Sequence, residues 1–137
     1  PAIEDSVSRW NQLYDRLAAH FRKMDGGVIP ARRQEEFYVG SSIQFRAEGL
    51  DRSQIPGLMA SCAARGVELK WFGDDTPKAF TSRYDSWKYI DDIPDLPGTL
   101  SVLEKTLDMR VPLTFDLDDC DLIARIIDEE VTALMAA

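Results

Sequence analysis

Two long apolar stripes at helical spacing, one near each end of the chain, bracket a middle in which apolar residues recur at every second position. The first stripe is Val7, Trp10, Tyr14, Leu17 and Phe21, and the last is Cys120, Ile123, Ile127, Val131 and Leu134. Steps of three and four put a set of side chains on one face of a helix, whereas steps of two put them on one face of a strand. A chain holding both periods has to cover a sheet with helices, which is an α+β layer.

The elements follow in order. A helix is expected over residues 6–24, with Asp5 as its N-cap and Gly26 and Gly27 as its stop. Residues 28–36 read as a polar loop. The run "FYVGSSIQFR" at 37–46 alternates, with Phe37, Val39, Ile43 and Phe45 on one face, and reads as a half-buried strand. A second helix is expected at about 53–65; Pro56 fits only its first turn, which favours Ser53 over Asp51 as N-cap. Ile55, Met59 and Cys62 supply its buried stripe and Gly66 its C-terminal cap. In "VELKWF" at 67–72, Val67, Leu69 and Trp71 alternate with Glu68, Lys70 and Phe72. Thr99 is placed to cap a short helix running to about 106, and "DMRVPL" at 108–113 reads as a third strand ended by Pro112. Asp116 caps the last helix, and Asp118 and Asp119 in its first turn suit the helix dipole by about 0.3–1 kcal/mol each. The expected fold is thus a small three-stranded, mostly antiparallel sheet packed with about four helices, in the order α-β-α-β-loop-α-β-α. It forms a single domain over residues 1–137.

A length of 137 residues supports one core without metals or disulfides. The net charge of −8 and pI near 4.6 repel phosphate backbones, so no nucleic-acid partner is expected. No apolar run reaches the roughly 18 residues of a membrane span, so no membrane partner is expected either. Cys62 and Cys120 both fall on apolar helix faces and read as buried thiols of a cytoplasmic protein, with a bridge between them left open.

Residues 67–90, "VELKWFGDDTPKAFTSRYDSWKYI", hold the densest mixture of aromatics and cations. Lys70, Lys78, Arg83 and Lys88 alternate with Trp71, Phe72, Phe80, Tyr84 and Trp87 in an otherwise acidic chain. Arginine forks bind carboxylates or phosphates and aromatic faces suit sugars or planar cofactors. The plainer explanation is that the aromatics fill the edge of the core under a long loop. A long ordered loop in a compact domain favours function.

Other chemistry is thin. His20, the only histidine, has no second histidine or nucleophile motif beside it and reads as structural or superficial. The string "DLDDCD" at 116–121 fails the calcium-loop pattern, because Cys120, Asp121 and Ile127 occupy its fifth, sixth and twelfth places. Helix capping explains those acids. Arg32 and Arg33, followed at once by Glu35 and Glu36, read as a solvated, self-compensating loop.

The order of segments resembles the C-terminal small domain of DegT-type sugar aminotransferases, pyridoxal-phosphate enzymes of fold type I. The resemblance rests on "EEFYVGSSIQFR", "RGVELKWF", "LPGT" and "TLDMRVPLTFDLDDCDLIARIIDEEV", and spans nearly the whole chain. It implies a nucleotide-linked or related sugar as small-molecule substrate, an N-terminal large domain that binds the pyridoxal phosphate, and a homodimer in the intact enzyme. It also implies that Lys70, Arg83, Tyr84 and Trp87 contact substrate. None of the five lysines (Lys23, Lys70, Lys78, Lys88, Lys105) has the serine- and glycine-rich context of the family's Schiff-base lysine. The chain alone is therefore expected neither to hold the cofactor nor to transaminate, and no catalytic residue is assigned to it. The loop at 73–90 departs from the family's shorter, histidine-bearing form, which leaves the substrate open. The rival expectation is a stand-alone, non-catalytic α+β binding or interaction module.

Overall fold

A computed structural model describes residues 2–76 and 91–137. The helices among them are α1 (Ile3–Phe21), α2 (Ile55–Ala64), α3 (Pro97–Leu103) and α4 (Leu117–Met135). The strands are β1 (Gly27–Val28), β2 (Ser42–Ala47), β3 (Lys70–Trp71) and β4 (Thr106–Arg110). They form one sheet in the order β1-β2-β4-β3, with every neighbouring pair antiparallel. The α+β expectation holds, with four strands in place of three.

The extra strand is β1, in what reads from sequence as the start of a polar loop. Gly26 takes φ +67°, and a Cβ there would come within 2.5 Å of the Gly49 backbone nitrogen. Only glycine lets the two turns approach so closely. Glu48 N–H then donates to the Gly26 carbonyl at 2.7 Å, and Gly27 and Val28 pair with Ala47 and Arg46. The glycines therefore open a strand rather than stop α1, which has already ended at Phe21 with Arg22 as its C-cap.

Other boundaries move for local reasons. α1 begins at Ile3 with Ala2 as its N-cap, so Glu4 and Asp5 lie inside the first turn, where the dipole favours acids. Strand β2 starts at Ser42, five residues later than alternation suggests. Asn11 on α1 intervenes, accepting from Gly40 N–H at 2.8 Å and donating to the Tyr38 carbonyl at 3.0 Å. Residues 37–41 are thus strapped to a helix, and Phe37 is 85% exposed. Asp51, not Ser53, caps the second helical segment through a 3₁₀ turn at Arg52–Gln54, its N–H donating to Gln54 Oε1 at 2.9 Å. Pro56 sits in the first turn of α2 as read. Thr99 lies within α3 rather than capping it, and β4 begins at Thr106 rather than Asp108. Strand β3 is confined to Lys70–Trp71. At α4 the cap is as expected: Asp119 N–H donates to Asp116 Oδ1 and Asp116 N–H to Asp119 Oδ2, both at 2.9 Å.

One core joins these elements. Leu13, Leu17 and Phe21 of α1, Ile43 and Phe45 of β2, Leu58 and Cys62 of α2, Leu107 of β4 and Ile127 and Val131 of α4 are all buried in a single cluster. The Phe21 and Phe45 rings stack at 4.4 Å, fixing α1 to the sheet. Each such side chain contributes about 1.5–3 kcal/mol by burial.

Candidate functional site

The alternation that builds the core also builds a second, polar sheet face. On β2, Ile43, Phe45 and Ala47 are buried in the core, while Ser42, Gln44 and Arg46 point the other way and stay half-exposed. Register places Gln44 of β2 and Lys70 of β3 on either side of Asp108 in β4. The neighbouring rows pair Ser42 with Arg110 and Arg46 with Thr106.

Asp108 is the unusual member of this face. It is the one fully buried charged residue among the described residues. Gln44 Nε2 donates to its Oδ1 at 2.5 Å and lies 3.1 Å from Ser42 Oγ. Its Oδ2 is buried without a hydrogen-bond partner among the described residues. An acceptor left so costs about 1–3 kcal/mol, and such a group in a native fold calls for an explanation.

Asp108 borders a cleft of ≈ 630 Å³ where α2, β3, β4 and α4 meet. Met59, Val67, Met109, Phe115 and Ile123 give it apolar walls, and Lys70, Asp108 and Arg110 bring polar groups to it. A concave, mostly apolar site with a few placed polar groups is the usual anatomy of a small-molecule pocket.

The sequence-derived site residues fare unevenly. Lys70 lies on the polar face, directly across from Asp108. Arg83, Tyr84 and Trp87 lie outside the described residues, as do Lys78, Phe80 and Lys88. Trp71 packs in the core, its Nε1 donating to the Glu104 carbonyl at 2.8 Å. Asp108 and Gln44 escaped the sequence reading. The available signal was an acid between two apolar residues in "TLDMRV", a position at which a strand disfavours aspartate.

The remaining candidates serve structure. His20 Nε2 sits 2.6 Å from Asp121 Oδ1, and Arg16 grips the same carboxylate bidentately at 2.6 Å, joining α1 to α4. Hydrogen bonds from Arg16 and then His20 hold the Asp121 carboxyl well below the usual carboxylate range. Arg32 is not simply solvated: its guanidinium lies over the Tyr14 and Tyr38 rings, 4.6 and 4.0 Å from their centroids. Cys62 and Cys120 are free, buried thiols, each pushed up to about 11 by burial. No cluster of acids, histidines and cysteines able to hold a metal occurs among the described residues. Nor, among them, is any helix long and apolar enough to cross a membrane.

Pyridoxal phosphate makes two demands on a protein. It needs a lysine for the Schiff base and a phosphate cup, commonly at a helix N-terminus. Lys105 is engaged by Glu48, through its carbonyl at 3.1 Å and its carboxylate at 3.6 Å. The first turns of the two long helices carry Glu4 and Asp5, and Asp118 and Asp119, which oppose a phosphate.

The sequence matches no family model and no curated protein. Solved structures do share its fold. The aminotransferase TlmJ from Streptoalloteichus hindustanus superposes with a TM-score of 0.72 at 17% identity, over 93% of this chain and 32% of its own. The sugar aminotransferase CalS13 from Micromonospora echinospora gives 0.72 at 16% identity, over 93% of this chain and 31% of its own. A DegT DnrJ EryC1 StrS aminotransferase from Brucella abortus gives 0.67 at 15% identity, over 90% and 31%. This chain therefore has the fold of a segment that makes up about a third of DegT-type aminotransferase chains.

Proposed function

We propose that residues 1–137 are the C-terminal small domain of a pyridoxal-phosphate aminotransferase acting on a sugar or nucleotide-linked sugar. The observation that carries this reading is the coverage. Nearly all of this chain superposes on about a third of each aminotransferase, leaving room in the intact protein for the domain that would hold the cofactor. The large N-terminal domain supplies the Schiff-base lysine, and this chain supplies one wall of the substrate site and packing surface for the homodimer. Lys70 on the polar sheet face is its best-supported substrate contact, with Arg83, Tyr84 and Trp87 from the neighbouring segment.

The test is to read the message upstream of Pro1, express the encoded protein whole, and trap the cofactor with borohydride. The expected result is a reduced pyridoxyl group on a lysine outside residues 1–137. A start codon immediately before Pro1, or a trapped group on Lys23, Lys70, Lys78, Lys88 or Lys105, overturns the reading in favour of a stand-alone module.

A further inference from the structure

The apolar stripe of α1 runs past the core. Leu13, Leu17 and Phe21 are buried, but Ile3, one turn before the half-buried Val7 on the same face, is 73% exposed. Phe37 and Val39 are 85% and 42% exposed, and with Ile3, Glu4, Val7 and Ser8 they line a concavity of ≈ 400 Å³. This display is tied in place. Between its two exposed neighbours, Tyr38 turns to α1, its hydroxyl donating to Asp15 Oδ1 at 2.8 Å and its ring meeting Tyr14 at 5.5 Å. Arg32 lies over both rings, and Asn11 bonds the Tyr38 carbonyl and the Gly40 N–H. A Cβ at Gly40 would come within 2.5 Å of Tyr14 Cβ, so glycine lets the segment lie this close to the helix. A phenylalanine held outward on so well-anchored a segment marks an interaction surface.

Charge decides between occupants. Glu4 is the charged side chain among the described residues lining the patch, and no described lysine or arginine lines it. A second copy placed here by a two-fold axis would set Glu4 patch against Glu4 patch, on a chain of net charge −8. An apolar surface edged by lysine or arginine meets no such repulsion. The superposed segment is only 32% and 31% of the matched aminotransferase chains. Polypeptide leading into α1 at Ile3 arrives at the patch itself, and a domain tethered there has a high local concentration. We propose that Ile3, Val7, Phe37 and Val39 seat the large domain that precedes this one, through an apolar surface of that domain edged by cations. The inference rests on the aminotransferase reading for the identity of that domain.

Phe37→Cys and Val39→Cys place reporter thiols on the patch, at positions exposed enough to leave the core intact. Each variant is treated with iodoacetamide both as residues 1–137 and as the whole encoded protein, and labelling at the site is followed by peptide mass spectrometry. Rapid labelling is expected in residues 1–137, slowed about tenfold or more in the whole protein because burial denies the reagent access. Equal rates in the two forms at either position overturn the inference. Labelling of residues 1–137 that slows as its own concentration rises overturns it in favour of a second copy. Borohydride trapping on the same whole protein tests the aminotransferase reading separately. A lysine trapped upstream beside an unshielded patch keeps that reading and rejects this inference; a shielded patch with no trapped cofactor does the reverse.

Discussion

Replacing Asp108 by leucine is expected to stabilise the unliganded chain. Asp108 occupies an interior strand, where aspartate is disfavoured, and is fully buried with one oxygen bonded to Gln44 and the other to nothing among the described residues. Leucine has nearly the same branched shape and no acceptor to leave unsatisfied. Gln44 loses a partner but keeps Ser42 Oγ at 3.1 Å, and its half-exposed position lets water replace the rest. Relief of one orphaned acceptor is worth about 1–3 kcal/mol. Unfolding entropy of roughly 2.1 cal/mol/K per residue over 137 residues converts this to a Tm rise of about 3–10 °C. Thermal unfolding followed by circular dichroism reads it directly. A fall in Tm of that size refutes the reasoning, because it means that Oδ2 is satisfied in solution and that Asp108 serves the fold. A rise marks Asp108 as a residue held at the expense of stability, the pattern of a binding site.

Other perturbations probe the frame around the site. Asp116→Ala removes the reciprocal cap of α4 and is expected to cost about 0.5–2 kcal/mol, a Tm loss of about 2–7 °C; an unchanged Tm contradicts it. The folded Asp121 carboxyl is depressed, so its stabilising effect is present above the ordinary carboxylate range, near about pH 4, and is lost as pH falls toward its folded value. Carbon NMR of Arg16→Gln should show that titration moving back up, and an unmoved Asp121 curve rejects the assignment of cause. Cys62 and Cys120, pushed up to about 11, are expected to alkylate slowly at about pH 8 until the chain unfolds. Rapid stoichiometric labelling of the folded chain contradicts their burial.

Much of the fold was legible because it rests on local periodicity. The α1 and α4 stripes, the Ile43–Phe45 alternation, the burial of Val67, Leu69 and Trp71, and the Asp116 cap all follow from spacings within a few residues. What escaped depends on contacts between distant segments. Phe37 and Val39 carry strand spacing, but Asn11 holds that stretch against α1 from 27 residues away along the chain. The β1 strand exists because Gly26 meets Gly49, which no local pattern announces. On the polar sheet face, attention to the cations and aromatics of 70–88 singled out Lys70, which lies across the ladder from Asp108. Asp108 was hidden by the opposite circumstance, a single acid set in an apolar strand. Its meaning depends on the pairing that brings Gln44 and Lys70 to either side of it.

The central claim is that this chain forms one wall of a site whose cofactor lies in another domain. It is tested most directly by adding one equivalent of pyridoxal phosphate to residues 1–137, passing the mixture through gel filtration and recording the absorbance of the protein peak. The account predicts a protein spectrum free of any Schiff-base band. A stable aldimine band that travels with the protein contradicts it.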